Sequence, residues 1–72
     1  MELVKNKVSG KSFIVLEDMG GVKFLGITPE GRIKLLERHL FGPQMALYHK
    51  DPRRAGMLTK TQMDAYSEYC AE

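Results

Sequence analysis

Thr28-Pro29-Glu30-Gly31-Arg32 lies between the apolar runs Val22–Ile27 and Ile33–Leu36, and its reading decides the fold. Pro29 pre-sets φ for the first corner of a type I turn. Gly31 can take the left-handed conformation that closes such a turn as a G1 bulge. That grammar predicts a β-hairpin. The same residues can also open a helix over 29–38, with Thr28 as N-cap and Pro29 at the first helical position, where proline is favoured. Ile33, Leu36 and Leu40 would then share a face. Against the helix, Gly31 would fall in its first turn, at a cost of up to roughly 1 kcal/mol relative to alanine. Leu35 would also leave the apolar stripe.

Outward from the hairpin, the chain reads as a meander. Leu3–Val8 is a first strand with a basic exposed side, Lys5 and Lys7, and Ser9-Gly10-Lys11 is a turn. Ser12–Glu17 carries Phe13, Ile14, Val15 and Leu16 in succession, so both of its faces are apolar and it belongs in the middle of the sheet. After the turn Asp18-Met19-Gly20-Gly21, Val22–Ile27 is the third strand, where Gly26 marks a bulge or a sharp bend. In Arg32–Glu37 the alternation places Ile33 and Leu35 inward and Arg32 and Lys34 toward water. Leu36 breaks the alternation and asks for cover on the second face. Leu40-Phe41-Gly42-Pro43 forms an apolar corner, and Met45–Tyr48 is a short fifth strand.

The C-terminal segment has a well-specified helix start. Thr59-Lys60-Thr61-Gln62 matches a capping box, with Leu58 and Met63 at the two positions of a hydrophobic staple. Met63, Tyr66 and Cys70 recur at helical spacing and are expected to pack on the sheet. Asp64 lies near the positive end of the helix dipole. One small domain over residues 1–72 follows, divided into a β meander (1–48), a basic loop (49–58) and a C-terminal helix (59–71).

Composition bounds the function more than it defines it. A chain of 72 residues buries about 60% of its unfolded surface, so its core is thin. The lone cysteine, Cys70, rules out an intramolecular disulfide and fits a reducing, cytoplasmic compartment. The longest apolar run, Phe13–Leu16, is too short to span a bilayer, and residues 1–5 carry no apolar leader. The net charge of +2 is mild. Its distribution is uneven, since Lys50, Arg53, Arg54 and Lys60 face Asp51 alone before an acidic C-terminal stretch.

Residues 28–38 resemble the wing-to-helix stretch of winged-helix DNA-binding proteins, and Leu58-Thr59-Lys60-Thr61-Gln62 resembles the opening of a helix-turn-helix first helix. The first resemblance implies a helix-turn-helix upstream, where residues 1–27 read as strands. The second implies a turn and a recognition helix after residue 72.

Chemistry-bearing spacing is sparse. His39, His49 and Cys70 are far apart, with no metal-ligand spacing among them. Ser9, Ser12 and Ser67 lie in no nucleophile motif, Glu17 and Asp18 make no acid/base pair, and Gly20-Gly21 is not a phosphate loop. No catalytic, metal or cofactor site is expected. Two surfaces remain. Arg32, Lys34, Arg38, Arg53 and Arg54 would give a nucleic-acid face through phosphate contacts. Leu40, Phe41 and Tyr48 would give apolar anchors for a protein partner.

The expectation is an α+β domain: a curled antiparallel meander of four or five strands with one C-terminal helix. It is similar to SH3-like small barrels in strand number and turn length, with an open sheet plus helix as the alternative closure. The expected role is a non-enzymatic binding module for an unidentified protein or for a second copy of itself. The alternative is a nucleic-acid-binding accessory domain, and no membrane association is expected.

Overall fold

The computed structural model describes residues 2–43, 58–71 and, as backbone, 45–46. At the deciding stretch the chain forms a hairpin. The Gly31 N–H donates to the Thr28 carbonyl and the Thr28 N–H to the Arg32 carbonyl, both at 2.8 Å. Gly31 has φ +83°, as a G1 bulge requires. The helix reading of 29–38 is excluded, because these residues lead directly into a strand.

Five strands form one antiparallel sheet: β1 Glu2–Lys5, β2 Ser12–Asp18, β3 Lys23–Ile27, β4 Ile33–Glu37 and the short β5 Met45–Ala46, in the order β4-β3-β2-β1-β5. A 3₁₀ turn, Arg38–Leu40, follows β4, and helix α1 spans Lys60–Ala71. The doubly apolar β2 is central, as its sequence demands. β1 stops at Lys5 rather than Val8. The reason is Asn6, whose side-chain oxygen accepts the N–H groups of Val8 and Ser9 at 2.9 Å each and bends the chain away.

Each face of the sheet carries its own small core. On one face Leu3, Ile14 and Ile27 are buried with Leu58, and Leu16, Met63, Ala65 and Tyr66 pack against them. On the other, Val4, Phe24 and Phe41 are buried, with Phe13, Val15 and Leu36 around them. The Phe41 ring meets Phe13 and Phe24 edge-on at centroid distances of 4.8 and 5.1 Å.

The sheet must curl around this second core. Phe41 bridges to Asn6 at the far end of β1. On a flat sheet Glu37 and Asn6 would be about 25 Å apart, yet the four steps from Glu37 to Phe41 reach about 14 Å at most. Two features let the sheet bend. The β2–β3 register shifts between Val15 and Glu17, leaving Leu16 as a bulge. Gly26 has no room for a side chain, since a Cβ there would lie 2.8 Å from the Ile14 carbonyl oxygen and 2.7 Å from the Phe24 ring.

Over the described residues the sheet is open, the alternative closure, rather than closed into a barrel. Among the described residues nothing pairs β4 with β5, and β4 forms an edge. The fifth strand is described over Met45–Ala46 alone, and Leu47, Tyr48 and the basic loop up to Met57 lie outside the described residues.

Helix α1 begins as its sequence specifies. The Gln62 N–H donates to Thr59 Oγ1 at 3.1 Å, and the Thr59 N–H donates to Gln62 Oε1 at 3.0 Å, a reciprocal capping box. Gln62 does more than cap. It is buried, and its Nε2 donates to the Ser12 carbonyl at 2.8 Å and the Ile27 carbonyl at 3.4 Å, tying helix to sheet. Thr59 Oγ1 also donates to the Pro29 carbonyl at 3.0 Å, so the helix start docks on the hairpin turn. Cys70, expected on the packed face, is exposed. The apolar contacts of the helical segment with the core run from Leu58 to Tyr66, one turn short of it.

Candidate functional site

The site is the outer edge of β4, and one hairpin places all of its residues. Two hydrogen bonds at the ends of the β3–β4 ladder fix which backbone groups turn outward. Thr28 donates to Arg32 at 2.8 Å, and Arg38 donates to Val22 at 2.9 Å. Antiparallel pairs alternate between hydrogen-bonded and open. Lys34 and Leu36, facing Gly26 and Phe24, therefore turn their backbone inward with Arg32 and Arg38. Ile33, Leu35 and Glu37 turn their N–H and C=O groups out of the sheet.

The side chains of this strand divide cleanly. Ile33 faces the same side as its partner Ile27, the helix side, and Leu35 follows it there beside Leu25. Both were expected inward, yet they are 46% and 54% exposed. The reason is coverage. A single helix is about 10 Å wide, while five strands at about 4.8 Å spacing present a face twice that width. Helix α1 lies over Leu3, Ile14 and Ile27, and among the described residues Ile33 and Leu35 on β4 remain about half exposed.

Arg32 and Lys34 occupy the opposite side of β4, and both are exposed. Glu30, at the tip, is held below the usual carboxylate range by its own backbone N–H and the Thr28 hydroxyl, with Lys11 and Lys34 adding attraction. Arg38 is engaged elsewhere. Its Nη2 pairs with Asp18 Oδ2 at 3.0 Å, and its guanidinium lies 5.6 Å from the Phe24 ring centroid.

The apolar anchors separate. Leu40 is 44% exposed, whereas the neighbouring Phe41 is a core residue at 5%. Tyr48, Arg53 and Arg54 lie outside the described residues. Of the candidate residues, the structure brings Arg32 and Lys34 together. Sequence reasoning missed Ile33 and Leu35 as surface residues. Their alternation gave the face correctly, and the signal that could have found them was the count of one helix against four or five strands.

Among the described residues no three metal-ligating side chains gather, and no helix is long and apolar enough to cross a membrane. No protein-family model matches the chain, and searches of curated proteins and of solved structures also returned no match.

Proposed function

We propose that this domain is a non-enzymatic protein-binding module that takes an extended segment of its partner onto the β4 edge. The observation that carries the reading is the coincidence of outward backbone groups at Ile33, Leu35 and Glu37 with exposed Ile33 and Leu35 side chains. An edge strand of this kind is a template for strand addition. The curled meander with short turns supports the likeness to SH3-like barrels, as architecture alone. The lone cysteine supports a cytoplasmic setting.

A test follows from the ladder. Because the Leu35 N–H points outward, Leu35→Pro removes a donor from the free edge and leaves the β3 pairing intact. Peptides selected for binding from a random library are expected to shift the backbone amide resonances of Ile33, Leu35 and Glu37. Their affinity should fall at least about tenfold for a folded Leu35→Pro variant, in line with an edge held by main-chain hydrogen bonds. Binding that ignores this variant, or maps to other amides, would overturn the proposal.

A second reading, nucleic-acid binding, draws support from Arg32 and Lys34 sharing one exposed side. The Asp18 partner of Arg38 and the position of Glu30 beside Lys34 weigh against it. That reading requires binding to oligonucleotides that falls steeply with salt, and none is expected.

A further inference from the structure

We infer that the segment captured by β4 alternates acidic and apolar residues, an inference that rests on the edge reading above. The edge has two chemically different sides. Ile33 and Leu35 project toward the helix side, and Arg32 and Lys34 toward the other. A strand added to β4 continues the pleat, so its side chains alternate between the same two sides. Those on the helix side lie beside Ile33 and Leu35, which are half exposed and gain cover. Those on the other side lie within cross-strand distance of Arg32 and Lys34, where opposite charge is favourable and like charge is not.

Charge decides between occupants. Arg32 and Lys34 stand exposed together on one side of β4, and Lys11 and Lys34 both attract the Glu30 carboxylate at the hairpin tip. A carboxylate-bearing strand balances the excess. A second copy of this chain does not. On the cationic side β4 offers Lys34 and Leu36 beside Arg32, and no acidic residue of its own, since Glu37 lies on the helix side with Ile33 and Leu35. An antiparallel β4–β4 pair would set these cationic sides against each other. The lysine and arginine of this edge thus act against self-pairing while favouring an acidic guest.

The experiment uses the full chain and three blocked heptapeptides of alternating valine with glutamate, threonine or lysine. Amide shifts of Ile33, Leu35 and Glu37 report the edge, and titration reports affinity. The glutamate peptide is expected to shift all three amides and to bind about two- to thirtyfold tighter than the threonine peptide, the range for two exposed ion pairs. The advantage should shrink at high salt. A paired Arg32→Glu and Lys34→Glu variant should reverse the order, so that the lysine peptide binds best. If threonine or lysine peptides shift the same amides with equal affinity, the acidic preference is overturned while the edge reading stands. If no peptide shifts these amides, the edge reading falls and this inference with it. Concentration-dependent dimerisation that shifts the three amides without peptide would make the occupant a second copy, and shifts there from an oligonucleotide would make it nucleic acid. Either result overturns the acidic segment.

Discussion

Gly31 is required for two independent reasons. Its φ of +83° is in the left-handed region, and a Cβ built on it would lie 2.9 Å from the Thr61 carbonyl oxygen on helix α1. Gly10 provides the control, because it has φ +71° and open space around it. Gly10→Ala is expected to cost about 1–2 kcal/mol, the left-handed penalty alone, and Gly31→Ala at least about 1 kcal/mol more, because the neighbour is backbone and cannot rotate away. Urea denaturation of the two variants checks the difference. The first requirement was legible in the sequence, since turn chemistry is local. The second was not, because Thr61 lies thirty positions away. Gln62 carries the same lesson, readable as a cap but not as a buried tie to Ser12 and Ile27. Gln62→Glu would set a carboxylate against those two carbonyls. Burial would raise its pKa above that in the unfolded chain, so the penalty is absent at low pH and grows as pH rises through the unfolded value. The variant should therefore be more stable near pH 4 than near pH 7, as thermal melts would show.

The strands and the helix start were readable because each carries its own signal: alternation for β4, a two-faced apolar run for β2, a capping box for α1. What alternation cannot supply is the extent of cover, which depends on how many elements pack on each face. Ile33 and Leu35 point the expected way and are nonetheless at the surface for that reason. The ladder makes a prediction specific to β4. Amides of Ile33, Leu35 and Glu37 face outward and should exchange with solvent at least about tenfold faster than those of Lys34 and Leu36, which bond to β3, because outward amides lack the opening step that protects the others. Hydrogen exchange read residue by residue tests this alternation. Uniform protection along β4 would mean that its edge is covered.

At the scale of the molecule, the curl is set by contacts between distant segments, and it separates residues adjacent in sequence. Asp18, at the end of β2, ties the β2–β3 loop to the turn after β4. Its carboxylate accepts the Gly21 N–H at 2.8 Å and pairs with Arg38, which together hold its pKa below the usual value. A lowered carboxylate pKa gives stability that is present above the unfolded value and lost as pH falls through the folded one. Asp18→Asn should therefore flatten the loss of stability below about pH 4, the ordinary aspartate range. Phe41 closes the curl by placing its ring between Phe13 and Phe24. Sequence reading paired it with Leu40 as a surface anchor, because nothing local distinguishes two neighbouring apolar residues at a corner. The bridge to Asn6 does distinguish them. Phe41→Ala should cost about 3–5 kcal/mol, a large share of the roughly 4–11 kcal/mol that 72 residues ordinarily hold. Phe41→Leu, which keeps much of the volume, should cost under about 1.5 kcal/mol. Leu40→Ala should change stability by no more than about 0.5 kcal/mol, as surface substitutions do. Urea midpoints for the three variants would expose an error directly: comparable losses at Leu40 and Phe41 would mean that the ring does not close the curl, and that the second core is held some other way.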